Sequence, residues 1–117
     1  MYDHVTLRVV DFAVSLAFYE AALAPLGIGL RVEEGTSAAF GERPSFLLTG
    51  RRTPTANVHV AFSAPDTRAV DAFHAAALEN GGTDNGAPGV RTDYAPNYYA
   101  AFVLDPDGNN IEAVCMT

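Results

Sequence analysis

The chain has 117 residues, one domain's worth of sequence with enough apolar content for a hydrophobic core, and disorder is not expected. Lys+Arg 7 against Asp+Glu 14 gives a net charge of −7 with no basic run or stripe, which argues against nucleic acid and anionic membrane as partners. Cys115 stands alone, so no intrachain disulfide can form, and no apolar run approaches the roughly 20 residues needed to span a bilayer.

Residues 2–10 alternate, with Val5, Leu7 and Val9 on one face and His4, Thr6 and Arg8 on the other, the pattern of a half-buried strand. Asp11 is the expected N-cap of a helix over 12–24, whose Phe12, Leu16, Tyr19 and Leu23 recur at helical spacing, with Val14 and Phe18 widening the stripe. Pro25 and Gly27 end it. Short strands follow over 28–34, 37–41 and 45–49. The polar segment 51–56 reads as a linker between module one (1–50) and module two (57–117) of a single domain.

Module two opens on a strand over 57–63, with Val58, Val60 and Phe62 toward the core and His59, Ala61 and Ser63 opposite. Asp66 caps a second helix that buries Val70, Phe73, Ala76 and Ala77 and stops at Asn80-Gly81-Gly82. A short strand near 83–85 leads into 86–97, a Gly- and Pro-containing stretch without a period that reads as a loop, and as a candidate lid. Tyr98–Leu104 is a strand, Asp105-Pro106-Asp107-Gly108 a turn, and 109–115 the last strand, with Ile111, Ala113 and Cys115 inward and Asn110, Glu112 and Val114 opposite. Cys115 reads as a buried small hydrophobe and His74 as helix packing.

The chain also repeats itself. Residues 4–27 laid on 59–82 give nine identities in 24 positions without a gap, among them His4/His59, Asp11/Asp66, Phe18/Phe73 and Gly27/Gly82. The order βαβββ therefore occurs twice, an α+β architecture with pseudo-two-fold symmetry. Two such modules can bury their helix-facing sides and curl a mixed sheet around a concave site. Alternation puts His4, His59 and Glu112 on the non-helix face, and a duplicated unit that opens on His is a route to a metal site.

The arrangement resembles the vicinal oxygen chelate superfamily of glyoxalases, bleomycin-resistance proteins, fosfomycin-modifying thiol transferases and extradiol dioxygenases, and in particular its small single-domain glyoxalase-like group. The residues that carry the likeness are Asp3-His4-Val5, Phe18-Tyr19, His59-Val60-Ala61-Phe62 and, most specifically, the block from Tyr98 through Asp105-Pro106-Asp107-Gly108-Asn109 to Ile111-Glu112. The resemblance implies His4, His59 and Glu112 as ligands of a divalent ion (Fe, Mn, Zn, Ni or Co), which suits neutral imidazole and carboxylate donors. The fourth family ligand falls on Leu47, which cannot ligate, a departure from glyoxalase I-like enzymes. Three ligands leave open positions for water or a chelating substrate. Tyr98, Tyr99 and Arg91 are the candidate catalytic or binding residues, Arg91 as a donor pair for a substrate carboxylate or phosphonate; Thr6 and Ala61 lie two residues beyond the histidines on the same face, and Tyr94 shares the 86–97 segment with Arg91.

The leading expectation is a metal-dependent dioxygenase, lyase or isomerase for a small oxygenated molecule, acting as a homodimer whose sites form within one chain or across two. Alternatives are a metal-free, bleomycin-resistance-like binding protein, a thiol transferase of fosfomycin-resistance type, and a structural relic without metal. The chain ends five residues after Glu112 and has no cationic cluster for a phosphonate, which counts against the thiol transferase. The opening Met-Tyr-Asp-His is no basic-then-apolar leader, so a cytoplasmic protein is expected.

Overall fold

In a computed structural model, which describes residues 2–51 and 53–117, the chain runs β1 (Val5–Val9), α1 (Phe12–Leu23), a 3₁₀ turn (Ala24–Leu26), β2 (Leu30–Glu34), β3 (Ser37–Phe40), β4 (Phe46–Gly50), β5 (His59–Ser63), α2 (Thr67–Glu79), β6 (Thr83–Val90), β7 (Tyr98–Leu104) and β8 (Asn110–Met116). Met1 of the first module and Arg52 of the linker lie outside the described residues. The expected βαβββ order is found twice. The strands form two four-stranded sheets, β1-β4-β3-β2 and β5-β8-β7-β6, each mixed: the first strand of a module runs parallel to its last, and the rest are antiparallel.

Equivalent residues do equivalent work. The Asp11 carboxylate accepts from the Val14 N–H at 3.1 Å and the Asp66 carboxylate from the Ala69 N–H at 2.8 Å, capping the two helices. Gly27 closes the first helical segment in the left-handed region (φ 79°). Gly82 matters for space instead. A Cβ there would lie 2.6 Å from Phe18 Cε1 and 2.8 Å from the Ala77 carbonyl oxygen, so this glycine lets module two close onto the first helix. Gly82→Ala is expected to cost about 1–3 kcal/mol, read as a lower urea midpoint at unchanged slope.

Both helices turn inward, and the two modules share one core. Val9, Phe18, Tyr19, Phe40, Val70, Phe73, Val103 and Ile111 are fully buried. Each large apolar side chain taken from water contributes roughly 1.5–3 kcal/mol. The modules are stitched by aromatic contacts: Tyr19 packs on Phe46 at 4.9 Å, and Phe46 packs edge-on against Phe62 of the other module at 5.1 Å. Tyr19 also donates to the Asp105 carboxylate at 2.5 Å, tying α1 to the turn before β8. The Asp105–Gly108 segment is the expected turn: the Asp105 side chain accepts from the backbone N–H groups of Asp107 and Asn109, and Gly108 supplies φ +84°.

Three local expectations change. Val14 is exposed and Ser15 buried, so the inward stripe of α1 is Ser15, Phe18, Tyr19, Ala22 and Leu23. Ala76 is only half-buried, and Ala69 replaces it on the inner face of α2. The segment 86–90 is strand, not loop. It continues β6, an edge strand broken by two bulges, one between Asp84 and Gly86 and one between Gly86 and Gly89, where Pro88 needs no ladder partner for its missing N–H. No helix among the described residues is long and apolar enough to cross a membrane.

Candidate active site

Each sheet gives one face to the core and leaves the other open. In the second sheet, ladder register places Ala61, Glu112, Phe102 and Gly86 on one row, with His59 opposite Asn110. Alternation then puts His59, Tyr98, Phe102, Asn110 and Glu112 on the open face, while Ile111, Ala113 and Cys115 enter the core. His59, Tyr94, Tyr98, Phe102, Asn110 and Glu112 line a cleft of about 380 Å³ there.

Glu112 is 2% exposed although it belongs to the open face. Its carboxylate is held on both oxygens: the Tyr98 hydroxyl donates to Oε2, and His59 Nε2 lies 2.9 Å from Oε1. A buried carboxylate is tolerated because of these partners. In return, the bond to Glu112, with burial and the neighbouring charge adding to it, pushes the Tyr98 phenol up to about 12, so it is a proton donor at neutral pH. His59 stays half-exposed at the mouth, stacked on Phe102 with ring centroids 6.2 Å apart. Tyr94 meets Tyr98 edge-on at 5.0 Å.

The first sheet repeats the geometry without the chemistry. Thr6, Leu47 and Ala39 form the row equivalent to Ala61, Glu112 and Phe102, so Leu47 occupies the place of Glu112. Its open face holds a smaller cavity of about 170 Å³ between β1, β4, β3 and β2, lined largely by apolar and hydroxyl side chains. His4 stands just before β1 and is half-exposed. Its Nδ1 is 2.8 Å from Asp3, which also receives Arg43 at 2.5 Å. The His4 bond and then the Arg43 guanidinium hold the Asp3 carboxyl below its ordinary range. Among the described residues no three His, Cys, Asp or Glu side chains gather closely enough to hold a metal ion, so within one chain His4 is apart from the His59–Glu112 pair.

The remaining candidates separate. Tyr98 belongs to the cleft. Tyr99 points to the helix side, where its hydroxyl donates to Asp71 of α2 at 2.6 Å, and it takes no part in the open face. Arg91 lies over the Phe102 ring at 5.4 Å, next to the cleft. His74 packs on α2 and bonds Asp84 at 2.9 Å, as expected of a helix-packing residue. Phe102 and Asn110 line the site without having been singled out from sequence. Asn110 lies two residues from Glu112 and Phe102 four from Tyr98, and that even spacing on a strand was the available signal.

The family model of the Glyoxalase/Bleomycin resistance protein/Dioxygenase superfamily matches residues 2–113. The chain belongs to this superfamily. A glyoxalase/bleomycin resistance protein from Albidiferax ferrireducens T118 is 36% identical, with a TM-score of 0.86 over 97% of this chain and 98% of that one. The V278E mutant of glyoxalase I from Zea mays is 29% identical, with a TM-score of 0.70 over 95% of this chain and 44% of that longer one. A glyoxalase/bleomycin resistance protein/dioxygenase family enzyme from Burkholderia phytofirmans PsJN, at 18% identity and a TM-score of 0.76, shares the fold. Among curated proteins, none matches the chain. Within the superfamily fold, the His59–Glu112 pair sits on the first and last strands of the second module, where the sequence resemblance put its ligands.

Proposed function

We propose that this superfamily member is a divalent-metal-dependent enzyme for a small oxygenated molecule, with His59 and Glu112 as two protein ligands and His4 from a second copy of the chain as the third. The observation that carries the reading is Glu112: a buried carboxylate on an open sheet face, fixed by Tyr98 and next to an accessible imidazole. The donor set fits an ion. Imidazole nitrogen and carboxylate oxygen suit Fe, Mn, Zn, Ni or Co, and their 2.9 Å separation is what two bonds of about 2.0–2.1 Å span when they meet near a right angle. A homodimer accounts for His4, because one chain holds it apart from the pair.

A bound divalent ion would supply Lewis-acid polarisation of a substrate oxygen. The chain's own residues do the rest. Tyr98 fixes the orientation of the carboxylate through its hydroxyl and keeps its proton at neutral pH. Phe102 and Tyr94 offer aromatic surface for a flat substrate. Leu47 cannot replace the fourth ligand of glyoxalase I-like enzymes, which leaves room for two substrate oxygens and favours an open three-ligand site.

Elemental analysis of protein purified without added metal tests the reading, with sedimentation to give the mass. Native protein should carry close to one ion per chain in a dimer, and His4→Ala and His59→Ala should each lower metal content about tenfold or more. Equal metal in all three sinks the reading. Metal-free native protein would instead favour a second reading, toward which the charge of −7 points: a metal-free protein that sequesters a cationic drug, checked by a bleomycin titration.

A further inference from the structure

Beside the His59–Glu112 pair the open face holds a cation without a counter-ion. Arg91 has no carboxylate within 4 Å among the described residues, although the chain is strongly acidic and Asp93 borders the same groove. Its guanidinium is seated all the same. Nη2 donates to the Ala87 carbonyl at 2.6 Å, and the plane lies over Phe102, 5.4 Å from the ring centroid. The two bulges of β6 make the seat. A Cβ at Gly86 would lie 2.9 Å from Phe102 Cδ1 and 3.2 Å from Arg91 Nη2, and one at Gly89 would lie 3.1 Å from Arg91 Nη1. Both residues are side-chain-free where the guanidinium passes. The Gly-Pro-rich stretch is therefore a shelf that aims an arginine.

Only one of the five guanidinium N–H groups has an acceptor among the described residues. The groove around it, about 340 Å³, is lined by Asn85, Gly86, Arg91, Asp93, Tyr94, Phe102 and Asn110. It shares Tyr94, Phe102 and Asn110 with the Glu112 cleft, so the two are one continuous surface. Phe102 belongs to both, with the Arg91 guanidinium carbon 5.4 Å and the His59 ring 6.2 Å from its ring centroid.

We infer that Arg91 binds the carboxylate of a planar, conjugated substrate, which lies along Phe102 and presents its oxygenated end to His59 and Glu112. A planar guanidinium with unmet donors matches a carboxylate through two parallel bonds, and neighbouring aromatic rings select a flat body. The inference rests on the proposed function for the oxygenated end, but not for the anion.

Benzoate and its neutral analogue benzamide test it, titrated into this chain in the presence of a chelator and followed by ligand-detected NMR and, in the native chain, by the signal of the Arg91 Nε–H. Benzoate should bind about tenfold or more tightly than benzamide and shift that signal. Arg91→Gln should lose this preference while keeping native metal content. Gly89→Val, which keeps the arginine but crowds its seat, should weaken benzoate several-fold. Equal affinity for the two probes, or either variant binding benzoate as the native chain does, overturns the inference. Failure here with normal metal content leaves the metal-dependent function standing. Arg91-dependent benzoate binding in a protein that never holds metal removes the function and leaves the anion site.

Discussion

Glu112→Gln is expected to lower metal content more than about 100-fold, beyond the 10- to 100-fold cost of disturbing a ligand's supporting bond. The substitution keeps shape and one carbonyl oxygen for the Tyr98 hydroxyl, so the fold should persist. It removes the negative charge and turns one edge of the side chain into a donor that faces the His59 ring. A metal-independent signature accompanies the loss. The bond to Glu112 holds the Tyr98 phenol up at about 12, against an ordinary 10.0. The stabilisation from that bond is fully present below pH about 10 and fades as pH rises toward 12. In the variant the phenol should titrate closer to its ordinary value, visible as tyrosinate absorbance, and the fall in stability between pH about 10 and 12 should shrink. Native metal content and an unchanged tyrosine titration would together remove Glu112 from the site.

Asp105→Ala is expected to give the largest loss of stability, about 3–5 kcal/mol, because several buried donors lose their acceptor together. The carboxylate is 4% exposed and accepts from the Tyr19 hydroxyl, from the Asn109 side chain at 3.2 Å and from the backbone N–H groups of Asp107 and Asn109. Asn109 in turn accepts from the Val58 N–H and donates to the Thr55 carbonyl, so the turn holds the entry to β5 as well. Burial and the adjacent carboxylate push the Tyr19 phenol far up, so the hydroxyl keeps its proton as the donor to Asp105. Urea unfolding of Asp105→Ala, Tyr19→Phe and the double variant would show whether the pair is coupled. Additive losses would mean that the two groups act separately.

Much of this fold was legible because its signals are local. Alternation in Val5–Val9 and His59–Ser63, capping carboxylates at Asp11 and Asp66 and the Asp105–Gly108 turn each act within a few residues, and the repeat supplied the topology. Leu47 matches Glu112 on sequence alone, since both follow the same strand pattern. Val14 failed because the core side of α1 is set by α2, a partner that a single-helix stripe does not register. The strand at 86–90 was hidden because glycine and proline read as loop unless an edge position and bulges are known. Tyr98 and Tyr99 are neighbours in a strand, and only the packing of α2 decided which one faces the cleft. His4 is the residue least readable from one chain: its proposed partners lie beyond it.

The two copies differ in the length of every strand after the first helix, and one of these differences bears on the chemistry. β3 has four residues and β7 has seven. With Ala39 matched to Phe102, the position of Tyr98 falls on Gly35, in the β2–β3 hairpin bend where φ is +60°. Planting an acid at Leu47 would therefore not recreate the Glu112–Tyr98 arrangement, for no phenol stands where one is needed to steady it.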